Sequence, residues 1–472
     1  MPNPLALLAL AIWPLVTVVL FQKLPPGRAV LTTLIAGYLF LPEPPAGFDF
    51  PLLPPLTKHT IPALSAFVMW YRMYPQNFNP LPRSPVAVGL LLLFMFSPIV
   101  TALFNMQPVY WGNFTIQGMT IKDSIGFVIQ QCLLALPFLL ARRFLKTAED
   151  QRDLLIALLI GGLVYSVPML IEIRLSPQLN LWVYGYYQHD FSQTMRFGGF
   201  RPMVFLNHGI WAAFFLLMSI VATFALWKYG NFKRKWAILG AALYLTAVLV
   251  LAKSLGAWLF AAALIPTIIV FSARWQMRLA LCIALFAITY PAMKGIGLVP
   301  EAQILEAAAS IDPDRAASLE FRFTNENRLL ERAQAKPLFG WGNYDRNQIM
   351  NPANGVIETI TDGRWIILIG QLGWLGFLAE FGLLLLPVFL LWRETRHRSV
   401  DSYSLLLAPL ALLLSVNVFD LLPEVPRVYR RVFYSKPMRR YQGRSCLHRM
   451  RPPFPVAADG RLRHVAARCC TN

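Results

Sequence analysis

Residues 85–104 read PVAVGLLLLFMFSPIVTALF, a block without one charged side chain. An α-helix needs about 20 such residues to cross a hydrocarbon core of about 30 Å. Working outward, similar blocks recur at 5–21, 28–42, 124–141, 153–171, 203–227, 236–252, 255–271, 278–293, 365–392 and 403–422, with a shorter one at 61–73. Of the 472 residues, 56% are hydrophobic and 14% charged, against about a quarter charged in soluble domains. These observations predict an all-α polytopic membrane protein with about 11–12 transmembrane helices. The block at 5–21 lacks the basic region and small-residue cleavage site of a secretory signal, so it is expected to be a retained first helix.

Turn residues punctuate the joints, as in Leu24-Pro25-Pro26-Gly27 and Tyr229-Gly230-Asn231. Charge then assigns the sides. Arg142, Arg143, Lys146 and Arg152 fill one connection, Lys228, Lys233, Arg234 and Lys235 a second, and Arg393, Arg396 and Arg398 a third. The positive-inside rule places these in the cytoplasm. Counting helices between them puts 172–202 and 294–364 on the opposite face, which in a bacterium is the periplasm. The side of the amino terminus depends on whether 61–73 spans.

The net charge of +19 resembles a nucleic-acid binder, but its distribution argues against one, and no nucleic acid is expected as a partner. Residues 423–472 hold twelve Lys and Arg against Glu424 and Asp459, and the remaining 31 basic and 22 acidic residues suit cytoplasmic loops. The chain thus divides into a transmembrane domain over 1–422 and a basic, irregular tail. That tail is either a juxtamembrane segment drawn to anionic lipid, a disordered extension, or the product of a slipped reading frame. The five cysteines form no disulfide framework or zinc-finger spacing, so no metal and no cofactor is expected.

Polar chemistry concentrates in two segments. The first, Met195-Arg196-Phe197-Gly198-Gly199-Phe200-Arg201-Pro202, puts two arginines around a Gly-Gly that permits close backbone approach, followed by Asn207 and His208. Guanidinium forks grip phosphate oxygens bidentately and keep their charge; the same arginines would also serve as headgroup anchors. His208 falls in the first turns of the 203–227 helix, as either a buried structural histidine or a functional group. The second segment is the loop 294–364. Its stretch 318–337, SLEFRFTNENRLLERAQAKP, has the pattern of a surface helix, which would either present a cationic edge to a lipid-linked phosphate or pair its Glu and Arg three to five apart along the helix. Pro337-Leu338-Phe339-Gly340-Trp341-Gly342 then makes a tight turn followed by Arg346, and Glu358, Asp362 and Arg364 close the loop. A carboxylate here could take the proton of an incoming hydroxyl, or form an interfacial salt bridge with Arg364.

In order and spacing these strings resemble the bacterial O-antigen ligase and O-antigen polymerase superfamily. Arg196, Gly199 and Pro202 match its Arg-x-x-Gly segment before a Pro and a membrane helix. Arg322, lying fifteen residues before Pro337-Leu338-x-Gly340-x-Gly342, matches the next motif, and Leu372-Gly373-x-x-Gly376 matches the last. The resemblance covers about 124–420. It implies a metal-independent, inverting glycosyltransferase that takes an undecaprenyl-pyrophosphate-linked oligosaccharide as donor and a glycan hydroxyl as acceptor. Its setting would be the lipid bilayer of the bacterial inner membrane, with a chain-length regulator protein as a further partner. On this reading Arg196, Arg322 and Asp362 are catalytic, and Arg201, His208, Arg346, Arg364 and Glu358 bind substrate. Where ligases carry a His-Asn pair eleven residues before the last motif's first glycine, this chain has Asp362 and Gly363, which favours a repeat-unit polymerase for O-antigen or exopolysaccharide over a ligase. A lipid-linked oligosaccharide transporter is the reading from another class.

Overall fold

The structure, a computed structural model, describes residues 1–51, 53–196, 198–397 and 404–422; Phe197 and the expected basic tail at 423–472 lie outside them. The helices are α1 (Pro4–Lys23), α2 (Pro26–Phe40), α3 (Ile61–Met73), α4 (Pro85–Leu103), α5 (Ile121–Phe144), α6 (Ala148–Leu175), α7 (Leu179–Tyr184), α8 (Gly209–Tyr229), α9 (Lys235–Leu251), α10 (Leu255–Val270), α11 (Ala273–Gly295), α12 (Glu301–Ile311), α13 (Pro313–Gln334), α14 (Arg364–His397) and α15 (Ser404–Asp420). Among the described residues helix makes up 70%, and two small antiparallel hairpins interrupt it, β1 (Val109–Trp111) with β2 (Phe114–Ile116) and β3 (Met195–Arg196) with β4 (Gly199–Phe200).

Helix starts follow from local chemistry. Asn3 accepts from the Ala6 N–H at 3.0 Å, and Thr120 with Asp123 and Thr147 with Asp150 form reciprocal capping boxes at α5 and α6. Among the described residues seven helices are long and apolar enough to cross a membrane: α1, α4, α5, α6, α8, α11 and α14. The apolar helices α9, α10 and α15 are shorter, at 17, 16 and 17 residues. The apolar core of α8 is 83% buried, whereas that of α1 is 22% buried. So α8, apolar all round, is the axis of the bundle, with α6, α9, α10 and α15 about it, and α1 lies at the rim.

The helices run back and forth between two ends. Asn3 donates to the Val183 carbonyl and its main-chain N–H bonds Tyr184, so the first residues share an end with the 176–208 segment. At that same end Lys58 bonds the Phe205 carbonyl, whereas Trp70 packs on Phe144 at the other. The 13-residue α3 runs between these contacts and is not among the helices long and apolar enough to cross a membrane. Two expected spans are corrected. The 203–227 block becomes helical only at Gly209, and the 365–392 block is not one rod: α14 breaks at Gly373 (φ 67°, ψ −170°). Residues sixteen apart in a straight helix would sit about 24 Å apart, yet Arg364 and Glu380 form a bidentate pair at 2.8 and 2.7 Å. The two halves fold into a V.

Candidate active site

The site is built around that V. Breaking a helix orphans main-chain groups on both sides of the break, and a buried orphan must find a partner. Here the Pro337–Gly342 turn supplies them: the Trp341 and Gly342 N–H groups bond the Gly370 and Gln371 carbonyls at 2.8 and 2.9 Å, and the Trp374 and Leu375 N–H groups bond the Pro337 and Leu338 carbonyls at 2.8 and 3.4 Å. The two glycine motifs thus interlock. Gly340 and Gly373 both have positive φ; a Cβ on Gly340 would come within 2.4 Å of the Gln371 backbone, and one on Gly373 within 2.2 Å of the Leu338 carbonyl oxygen. The end of α4 fastens the turn, Thr101 donating to the Phe339 carbonyl and Asn105 to the Gly340 carbonyl.

From the turn the site extends along α13. Its residues 322, 325 and 328, each three apart and so on one face, meet 362, 360 and 358 in reverse order. Arg322 lies 3.7 Å from Asp362, the Asn325 side chain accepts from the Ile360 N–H at 2.9 Å, and Arg328 bonds Glu358 at 2.7 Å. Glu326, on a neighbouring face, pairs with Lys294 of α11 at 3.2 Å. These charges reach off the helix instead of pairing along it, as the spacing had suggested. The Arg322 and Asp362 side chains remain 39% and 32% exposed, and their 3.7 Å separation is too long for a direct hydrogen bond. A fixed cation and a carboxylate thus stand side by side, both open to a ligand.

Hydrogen bonding from Arg328, with a further bond from Asn351, holds the Glu358 carboxyl below the usual carboxylate range. The pair therefore stabilises the fold at neutral pH, and that contribution is lost as pH falls through the lowered value. The melting-temperature difference between wild type and Glu358→Gln should accordingly shrink from pH 7 towards pH 3, and a difference that stays constant with pH would refute the assignment.

Two of the expected ligand-binding arginines are occupied by the fold. Arg346 is 1% exposed, and its guanidinium donates to the Trp341, Gln117 and Gln107 carbonyls at 3.0, 2.8 and 2.8 Å. It is a strut between the turn and the β1–β2 hairpin, not a substrate ligand. Arg364 is spent on Glu380, and its N–H bonds the Leu421 carbonyl at the end of α15. Arg332 lies between Trp341 and Trp111, its guanidinium carbon 3.7 and 4.8 Å from their ring centres; burial, with Arg346 nearby, pushes its pKa down to about 10.

The other expected segment forms the β3–β4 hairpin, turning at Gly198 with φ 67°. Arg196 is exposed there, while Arg201 is 8% exposed, its stem packed so closely on Gly209 that a Cβ would lie 2.3 Å from its Cδ. A third cation joins them: a Cβ on Gly199 would lie 2.2 Å from Lys253 Nζ. His208 is not inside a membrane helix. It caps α8, accepting from the Ile210 N–H at 3.1 Å, with its ring 4.7 Å from that of His189. Glu172, 1% exposed, explains why the helix starts late, since it accepts from the Leu179, Met203 and Val204 N–H groups at 3.0, 2.8 and 2.7 Å and so holds 203–204 out of helix.

Sequence reasoning also passed over a buried cluster in the 41–60 connection. Lys58 and His59 lie 3.1 Å from the two oxygens of Glu43, with Lys58 and Glu43 fully inaccessible. Burial pushes the Glu43 carboxyl up, but Lys58 and His59 outweigh it and hold it below its ordinary value. The available signal was an isolated Glu and Lys between apolar blocks, since such groups are costly unless paired. Among the described residues, none of the His, Cys, Asp and Glu groupings could hold a metal ion. No protein-family model matches the chain, and a search of curated proteins finds no match either.

Proposed function

We propose that this protein is a membrane glycosyltransferase that polymerises undecaprenyl-pyrophosphate-linked repeat units on the periplasmic face of a bacterial inner membrane. The observation that carries this reading is Arg322 beside Asp362, held in register by the Asn325 and Arg328 contacts. In the proposed reaction the acceptor hydroxyl attacks the anomeric carbon of the donor from the face opposite the pyrophosphate. Asp362 takes the hydroxyl proton as the new C–O bond forms. The bond to the pyrophosphate oxygen breaks, and Arg322, with Arg196 and Arg201 from the hairpin, receives the charge that develops there. The basic connections around Arg142 and Lys233 support a cytoplasmic location for the opposite end.

A transporter of lipid-linked oligosaccharide is the second reading, favoured by the broken α14 and its buried Arg364–Glu380 pair, since transporters build sites at discontinuous helices. Deleting the gene separates the readings. Lipid-linked single repeats accumulating on the outer leaflet are expected; repeats trapped on the inner leaflet would identify a transporter, and free polymer not joined to lipid A core a ligase.

A further inference from the structure

At the end of the bundle where the basic connections gather, a groove of ≈ 440 Å³ lies between α6 and α9. Its floor is apolar, formed by Leu159 and Leu163 of α6 and by Ala237, Ile238 and Ala241 of α9, and Lys233 and Arg234 stand at its mouth. Arg152, two turns before Leu159 on the same face of α6, has its guanidinium carbon 4.7 Å from the ring centre of Phe232, which also lines the groove. Beyond the groove the helices are tied by the Ser166 and Tyr244 hydroxyls, 3.0 Å apart. The trough therefore leads from a cationic mouth into the apolar depth of the bundle.

The cations at that mouth have no counter-charge. Among the described residues no carboxylate pairs with Arg152, Lys233, Arg234 or Lys235, because the acids that open α6 are engaged elsewhere: Asp153 and Glu149 with Arg28 at 2.6 and 3.6 Å, and Asp150 in the capping box. The start of α9 deepens the deficit. It has no side-chain cap and no acid in its first turn, so its basic residues sit at the positive end of the helix dipole, the unfavourable end for a cation.

We infer that this groove holds one molecule of an anionic phospholipid, its phosphate among Arg152, Lys233 and Arg234 and one acyl chain along the α6–α9 floor. Guanidinium forks match phosphate oxygens, and basic pockets between membrane helices are a recurring form of anionic-headgroup site. A soluble phosphate would leave the apolar floor empty. A zwitterionic lipid would bring one more cation into a group that already lacks anions. The inference takes the membrane setting but not the transfer reaction, so either can fail alone.

The full chain, purified in a non-ionic detergent and stripped of lipid, is measured by native mass spectrometry with phosphatidylglycerol, with phosphatidylcholine of the same acyl chains, and with glycerol 3-phosphate. Phosphatidylglycerol should bind about tenfold more tightly than phosphatidylcholine, and the double variant Lys233→Gln with Arg234→Gln should erase that preference. Ala241→Phe, which fills the floor without changing charge, should weaken both lipids. Arg278→Gln, a charge removed from α11, should leave the preference as in wild type. Arg152→Gln replaces the double variant if that fails to assemble. Equal binding of the two lipids, glycerol 3-phosphate bound as tightly as phosphatidylglycerol, a preference that survives in the double variant or falls equally in Arg278→Gln, or wild-type binding by Ala241→Phe would each overturn the inference.

Discussion

Arg322→Ala is expected to stop chain growth while leaving the protein in the membrane at its normal level. Removing one fixed donor from a developing negative charge typically costs about 10²–10³ in rate. In a complementation assay that loss should turn a ladder of long surface polysaccharide into single repeats. Stability should barely change, because a half-exposed pair at 3.7 Å contributes at most about 1 kcal/mol. Arg322→Lys keeps the charge but loses the planar fork, so it should fall between wild type and alanine. A normal ladder from the alanine variant at normal abundance would remove Arg322 from the reaction and the proposed mechanism with it.

The second large effect concerns assembly. Gly373 has φ 67° and ψ −170°, a region that only glycine occupies without strain of order 1–3 kcal/mol. An alanine there would also place its Cβ 2.2 Å from the Leu338 carbonyl oxygen. The Pro337–Gly342 turn would have to withdraw, and its four main-chain bonds to α14 contribute about 1 kcal/mol each. Together these losses approach the whole stability of a typical protein, about 5–15 kcal/mol. Gly373→Ala should therefore be nearly absent from the membrane fraction, or melt far below wild type. Gly256→Ala is the control: nothing lies within 4 Å of its added Cβ, and alanine favours helix, so its abundance should match wild type. Equal abundance of the two variants would show that the interlock is dispensable.

The helices were legible because a membrane span announces itself by length and apolarity alone, and each marked block, 61–73 included, contains a helix. What composition could not reveal was backbone geometry within a block. Leu372-Gly373-Trp374 looks as apolar as its surroundings, and the break becomes visible only through the turn that satisfies it, some thirty residues earlier. The start of α8 was misplaced for a related reason: 203–206 is apolar, but Glu172 claims its main chain from another helix. In the site, Asp362 and Arg322 were both picked out, yet their adjacency depends on α13 running antiparallel to 358–362, which no local pattern encodes. Arg346 misled because an arginine in a wet loop suggests an anion. Its partners are carbonyls, and backbone acceptors leave no trace in sequence. Glu380 carried a usable signal, being a single carboxylate in a long apolar run, where pairing is the rule.

The interlocked turn also bears on the order in which the chain is built. As residues 364–372 emerge during synthesis they form too short an apolar helix to be inserted as an independent span, and the break beside them would present bare carbonyls and N–H groups to lipid, which lipid cannot satisfy. The half-helix must therefore wait in water, or at the insertion machinery, until the turn docks onto α4 and accepts it. Maturation of this protein should then show a late step after its other helices are in place, one that can be timed by when a cysteine introduced at Leu372, buried in the assembled fold, loses its reactivity towards a water-soluble thiol reagent.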